Sequence, residues 1–120
     1  MKILLDTNFL VDVIRFKIDL FSELKGDELF LDEAVVKELK RISRKNDKDS
    51  VSAKLSLVML RTKGLKVLKS KEKEADLSLL EHAKAGYAVA TQDLELKKKL
   101  KKIGAKIVYI RQRKYVVKEG

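Results

Sequence analysis

Four carboxylates at well-separated points of the chain, Asp6, Glu38, Asp76 and Asp93, each lie just after or close beside a stretch that reads as regular structure. Carboxylates crowded into one cleft repel, and the repulsion raises their pKa values. A divalent cation removes that cost. Mg2+ and Mn2+ prefer hard oxygen ligands and octahedral geometry with several waters retained. Such an ion can activate water, clamp a phosphate oxygen and stabilise a leaving oxygen. That chemistry needs neither histidine nor cysteine. The chain has one histidine and no cysteine, so histidine-rich and thiolate metal sites are both excluded, as is a disulfide frame.

The elements that must position these acids can be read from periodicity and punctuation. Residues 2–5 (KILL) read as a short buried strand, and Asp6 follows it directly. Phe9, Leu10, Val13 and Ile14 recur at helical spacing, and a second short helix covers residues 19–25 before Gly26. Leu29 to Leu31 is a strand, Asp32 caps the next helix, and Val35, Val36, Leu39 and Ile42 form its stripe. Residues 43–49 read as an exposed polar loop. Ser50 starts another helix, with Val51, Leu55, Val58 and Met59 expected inward and Gly64 after its end. Leu65 to Leu68 is a strand. Residues 74–85 form a helix expected to bury Leu77, Leu80 and Ala83. Tyr87 to Ala90 is a strand. Residues 93–103 form a helix expected to bury Leu96, Leu100 and Ile103. Residues 106–110 are a strand and 115–117 a last edge segment.

Strands alternating with helices throughout predict a single α/β domain over 1–120, a three-layer α/β/α sandwich around a mostly parallel sheet. Ligands in such sheets sit beyond the carboxyl ends of the strands. Asp6 follows one strand and Asp93 comes three residues after another, so both project from that rim. Glu38 lies in the second turn of a helix that follows a strand, and Asp76 in the first turns of the helix before Tyr87 to Ala90. All four can therefore meet at one edge.

Of 120 residues, 45% are hydrophobic and no run is long enough to span a membrane. The N-terminal segment is broken by Asp6 and makes a poor secretory signal. A soluble, cytoplasmic protein is the expectation. The net charge of +10 falls wholly in the second half. Residues 1–60 hold 11 Lys/Arg and 11 Asp/Glu, and residues 61–120 hold 17 and 7. That asymmetry suits a polyanion, although a solvated charged surface would look the same.

Four segments carry a resemblance: Leu5-Asp6-Thr7-Asn8, the VVKEL segment of residues 35–39, the DLSLLEHA segment of residues 76–83, and the VATQDLEL segment of residues 89–96. Together they resemble the PIN-domain ribonucleases, in order and spacing, over nearly the whole chain. The stretch from Tyr87 to Tyr115 is similar to PIN nucleases of small-subunit ribosomal RNA processing, in their short archaeal form. The toxin nucleases of toxin–antitoxin pairs share the same four acids. The resemblance implies a PIN-like, Rossmann-like fold, Mg2+ or Mn2+, and endonucleolytic cleavage of RNA leaving 5′-phosphate and 3′-hydroxyl ends. Asp6, Asp76 and Asp93 would be direct ligands, with Glu38 acting directly or through water. Asn8 and Thr91 would orient the carboxylates by hydrogen bonds. A homodimer is also implied, for which the helix of residues 50–62 could supply an interface or simply core. An antitoxin partner follows if the toxin branch holds.

Each of these residues also has a plainer reading. Asp6 and Asp93 could only cap helices, Asp76 could only favour a helix dipole, and Glu38 could only pair with Arg41 one turn away. Asn8 and Thr91 could be turn residues. Asp12 could share the rim. Glu95 reads as a solvated helix face. His82 and Tyr109 read as structural, and so does Phe16, although Arg15, Phe16 and Lys17 together could touch RNA. Lys97, Lys98, Lys101 and Lys102 are expected on one solvent face, where Arg111, Arg113 and Lys114 could thicken a phosphate-binding patch. Two rival functions remain: a non-catalytic RNA-binding or assembly factor on the same fold, and a receiver-like phosphoacceptor. No Gly-rich nucleotide loop is present.

Overall fold

The computed structural model describes residues 1–120. Strand β1 (Lys2–Leu5) leads through α1 (Thr7–Arg15) and the short α2 (Leu20–Glu23) to β2 (Glu28–Asp32). Helices α3 (Glu33–Ser43) and α4 (Lys48–Thr62) precede β3 (Lys66–Leu68). Helix α5 (Ala75–Lys84) leads to β4 (Ala88–Ala90), and α6 (Leu94–Lys102) to the hairpin of β5 (Ile107–Arg111) and β6 (Tyr115–Glu119). The six strands are ordered β3-β2-β1-β4-β5-β6. All pairings are parallel except β5 with β6. No helix is long and apolar enough to cross a membrane.

The period-two alternation of the strands sorts their side chains into two cores. Ile3, Leu5, Leu29, Leu31, Ala88, Ala90, Val108 and Ile110 point to one face, where they meet Phe9, Leu10, Val13, Leu20, Leu24, Val35, Leu39 and Ala53 of α1 to α4 and its flanks. Leu4, Phe30, Val89 and Ile107 point to the other, against Leu79, Ala83, Leu96 and Leu100 of α5 and α6. The result is the expected three-layer sandwich. Gly86 and Gly104, at φ 106° and 71°, take the left-handed conformations that turn the chain out of α5 and α6.

Three expectations about helix faces are corrected. Helix α4 starts at Lys48, not Ser50, because Asp47 accepts the Asp49 and Ser50 amides and caps it. It buries Ser50, Ser52, Ala53 and Ser56, while Val51, Leu55 and Val58 are 58%, 47% and 41% exposed. Small side chains let α4 lie close against α1 and α3, and that closeness decides the inward face. In α5 the buried stripe is Ser78, Leu79, His82 and Ala83, and Leu77 is exposed. The helix is turned because Ser78 and His82 both bond the buried Asp32 carboxylate. Ile103 is the residue that ends α6 and lies open to solvent rather than in the core.

Candidate active site

Strand order reverses direction between β1 and β4, which makes the crevice beyond their carboxyl ends the topological switch point. Asp6 leaves β1 there, and its amide donates to the Ala90 carbonyl at 2.9 Å, which fastens the two strand ends together. Asp93 follows β4 and caps α6, its Oδ1 accepting the amides of Glu95 at 2.8 Å and Leu96 at 3.1 Å. Its Oδ2 is left free of those bonds. Capping and presentation of an oxygen to the cleft are therefore compatible in one side chain.

Asp6, Glu38, Asp76 and Asp93 all line one open cleft of ≈ 400 Å³. The four predicted acids are thus brought together from four elements. Thr7 and Asn8 share the wall. So do Asp12 and Asp49, making six carboxylates around the cleft, with Arg15 as its one cation. Arg15 stands 3.5 Å from Asp12.

Asp6 is buried, and its pKa is pushed up to about 6, chiefly by desolvation. Hydrogen bonds from the Thr91 hydroxyl and the Thr7 amide pull against that shift, while the charges of Asp76 and Glu38 add to it. Asp76 is also raised, by burial first and then by Asp93, with Lys99 opposing. Asp12 is raised by burial first, with Asp49 adding to it and Arg15 opposing. Glu38 is half-exposed, with its Oε2 3.7 Å from Arg41. The surface pairing considered for Glu38 is thus present, alongside its place in the cleft.

A small network orients Asp6. The Thr91 hydroxyl donates to its Oδ2 at 2.7 Å, and the Thr7 amide donates to its Oδ1 at 2.8 Å. The Asp93 amide donates to Thr91 Oγ1 at 3.1 Å, so one threonine touches both strand-end acids. Asn8 Oδ1 accepts the Gln92 amide at 3.1 Å and so holds the loop after β4. Asn8 therefore acts on the Thr91–Asp93 loop; the bonds that orient Asp6 come from Thr91 and Thr7.

The donor set fits Mg2+ or Mn2+: it is all oxygen and crowded, and Asp6 and Asp76 are raised in pKa by burial and by neighbouring carboxylates. Two buried polar atoms of cleft-lining residues, Thr7 Oγ1 and Asp49 Oδ1, have no protein partner. No three His, Cys, Asp or Glu groups anywhere in the chain form a ready coordination cage. An ion that keeps several waters and takes one or two carboxylates suits an open cleft better than a closed cage.

Apart from Arg15, the cationic residues singled out in the sequence lie outside this cleft. Lys97 is half-buried, its ammonium 4.3 Å from the Tyr109 ring, and burial lowers its pKa, with Lys101 adding to the effect. The placement of Lys97 on the solvent face is therefore corrected: β5 supplies an aromatic platform that draws it in. Lys98 stands 3.8 Å from Glu95 and Lys101 3.4 Å from Glu119. Lys102, Arg111 and Lys114 are exposed. Arg113 lies over the Phe16 ring at 5.6 Å and near enough to Asp12 to counter its raised pKa.

Sequence reasoning gives Asp12 little weight, considers Arg15 only as an RNA-touching residue, and misses Asp49 in the cleft and Lys99, whose charge acts on Asp76 from outside it. Asp49 is hidden in a stretch that reads as loop; the Asp47 cap is the signal that places it in a first helical turn.

A family model described as a PIN-like domain matches residues 3–113. The chain is 31% identical over 122 residues to ribonuclease VapC4 of Methanocaldococcus jannaschii, covering 95% of this chain and 93% of the relative. It is 36% identical over 119 residues to ribonuclease VapC9 of Archaeoglobus fulgidus, covering 95% and 86%. A domain of a functionally unknown protein from Methanocaldococcus jannaschii shares the fold at TM-score 0.70 and 20% identity, covering 92% of this chain and 91% of that one. Both relatives are named as ribonucleases, and neither name points to ribosomal RNA processing. The breadth of the family match, joined to four acids on one switch-point cleft, leads to one conclusion: the chain belongs to the PIN-like domain family.

Proposed function

We propose that this protein is a toxin-type PIN endoribonuclease of the cytoplasm, hydrolysing RNA phosphodiester bonds with Mg2+ or Mn2+ and held in check by an antitoxin partner. The observation that carries this reading is the convergence of Asp6, Glu38, Asp76 and Asp93 on one cleft from four separate elements. The names of the two ribonuclease relatives support the toxin branch over ribosomal RNA processing.

Asp6, Asp76 and Asp93 would hold the cation, with Glu38 contacting it directly or through water. When bound, the ion polarises water and offsets charge on the phosphate. The chain's own residues do the rest. Thr91 keeps Asp6 aimed at the cleft, and the helix cap fixes one oxygen of Asp93. Hydrolysis adds hydroxyl to phosphorus and a proton to the departing 3′-oxygen, leaving a 5′-phosphate. Lys98, Lys101, Lys102, Arg111, Arg113 and Lys114 would draw the strand in through its phosphates, with Lys97 fixed on Tyr109 beside them.

The test is cleavage of unstructured and structured RNA in Mn2+ by wild type and Asp93→Asn. A loss of at least about 100-fold in the variant, with an unchanged melting curve, is expected. Cleavage that persists in excess chelator would sink the reading. Charge reversal at Lys98, Lys101 and Lys102 should weaken RNA binding. It should also flatten the salt dependence, by about 0.7 in log–log slope for every phosphate no longer neutralised. An unchanged slope removes those lysines from the RNA path.

A further inference from the structure

The most buried charged side chain in the protein is not one of the four site acids. Asp32, at the carboxyl end of β2, is 0% exposed. Its Oδ1 accepts the Ala34 amide at 2.7 Å and the Ser70 hydroxyl. Its Oδ2 accepts the Ser78 hydroxyl, and His82 Nε2 stands 3.1 Å away. A carboxylate is acceptor-only, so that ring nitrogen donates. These partners lie on three different pieces of chain: the start of α3, the segment between β3 and α5, and α5 itself.

The bonds continue outward. The Ser70 hydroxyl accepts the Ala34 amide at 3.1 Å, and the Ser70 amide donates to Glu33 Oε1 at 2.9 Å. The Ser78 hydroxyl accepts the Lys71 amide at 2.9 Å. Residues 69–74 have no helix or strand of their own, and Glu74 makes no side-chain cap for α5. The first turn of α5, which carries Asp76, is therefore anchored largely through Ser70, Ser78 and His82. Helix α3, which carries Glu38, begins on the same carboxylate.

We propose that Asp32, Ser70, Ser78 and His82 form a positioning clamp that fixes Asp76 against Glu38 across the cleft. The four touch neither substrate nor cation; they act through the helices that bear the acids. A single buried carboxylate sets the separation of two site groups that lie 38 residues apart in the sequence. The proposal rests on the nuclease reading only for its consequence, since the clamp itself is a matter of helix anchoring.

Two measurements on the full chain test it. In amide hydrogen exchange, Ser78→Ala and Ser70→Ala should speed exchange in residues 69–79 while α6 stays as in wild type. Mn2+ titration should show the affinity of both variants falling about tenfold, with kcat reduced similarly and KM for RNA little changed. Ser70→Thr keeps the hydroxyl and should recover the affinity that Ser70→Ala loses. Leu100→Ala, in the same core but outside the network, is the control for plain destabilisation. Unchanged exchange in residues 69–79 overturns the clamp. So does a Leu100→Ala protein that loses Mn2+ affinity as much as Ser78→Ala does. Wild-type protein that neither binds Mn2+ nor cleaves RNA would defeat the nuclease reading instead, and the exchange result alone would then decide the clamp.

Discussion

Asp6 concentrates the conflict between folding and chemistry in one side chain. Its carboxyl is buried, and folding raises its pKa from 3.8 to about 6. The folded chain thus holds this proton more tightly than the unfolded chain. The resulting stability is fully present below about pH 4 and is lost as pH rises through about 6. The full change is roughly 3 kcal/mol for metal-free protein. Asp6→Asn removes it. In chelator, the variant should melt above wild type at pH 7.5, and the gap should close at pH 4. Melting curves at the two pH values check this; a gap of equal size at both would show that burial of the charge is not the cause. Because a cation needs Asp6 ionised, Mn2+ affinity should fall as pH drops below about 6. The positions of Asp6 and Asp93 are legible in the sequence because strand ends and helix starts are strongly punctuated, whereas Glu38, inside α3, has no such mark. Asp32 reads there only as a cap, since nothing local in the chain reveals that Ser70, Ser78 and His82 fold back onto it.

The strands are legible because each carries the alternation that two buried faces demand, as in the Ile3-Leu4-Leu5 run divided between the two cores. The helices are harder. Apolar periodicity in α4 marks Val51, Leu55 and Val58, yet the packed face is Ser52, Ala53 and Ser56. Hydrophobicity cannot report how near two helix axes come, and near approach rewards small side chains. The two faces should respond oppositely to mutation. Leu55→Lys should cost less than about 0.5 kcal/mol as an exposed change. Ala53→Leu should cost about 1–3 kcal/mol by overpacking a position that is 0% exposed. Chemical denaturation of the two variants separates these outcomes, and the reverse order would mean that α4 docks by its apolar stripe. Helix α5 misleads for a different reason: a polar anchor, not an apolar one, sets its rotation.

At the scale of the whole molecule, charge is divided by role. Six acids and one arginine line the cleft, while most of the excess of cations lies on α6 and the β5–β6 hairpin. The acidic rim is self-repulsive, so on the proposed reading cation binding and folding would be thermodynamically linked. Mn2+ at about 100 times its dissociation constant should stabilise the protein by about 2.7 kcal/mol, seen as a raised Tm. The same addition should leave the Tm of Asp93→Asn almost unmoved. An equal rise in both proteins would place the ion elsewhere.

The bond from the Asp6 amide to the Ala90 carbonyl joins the first strand to one that is made late. During synthesis, the amino-terminal half can form β1, β2 and their helices while the cleft still lacks Asp76, Thr91 and Asp93. On the nuclease reading proposed above, an RNA-cutting enzyme would emerge from a machine built of RNA, and the acidic wall of the cleft closes only after β4 has slotted in beside β1. Delayed assembly of that kind would then spare the ribosome that makes the protein.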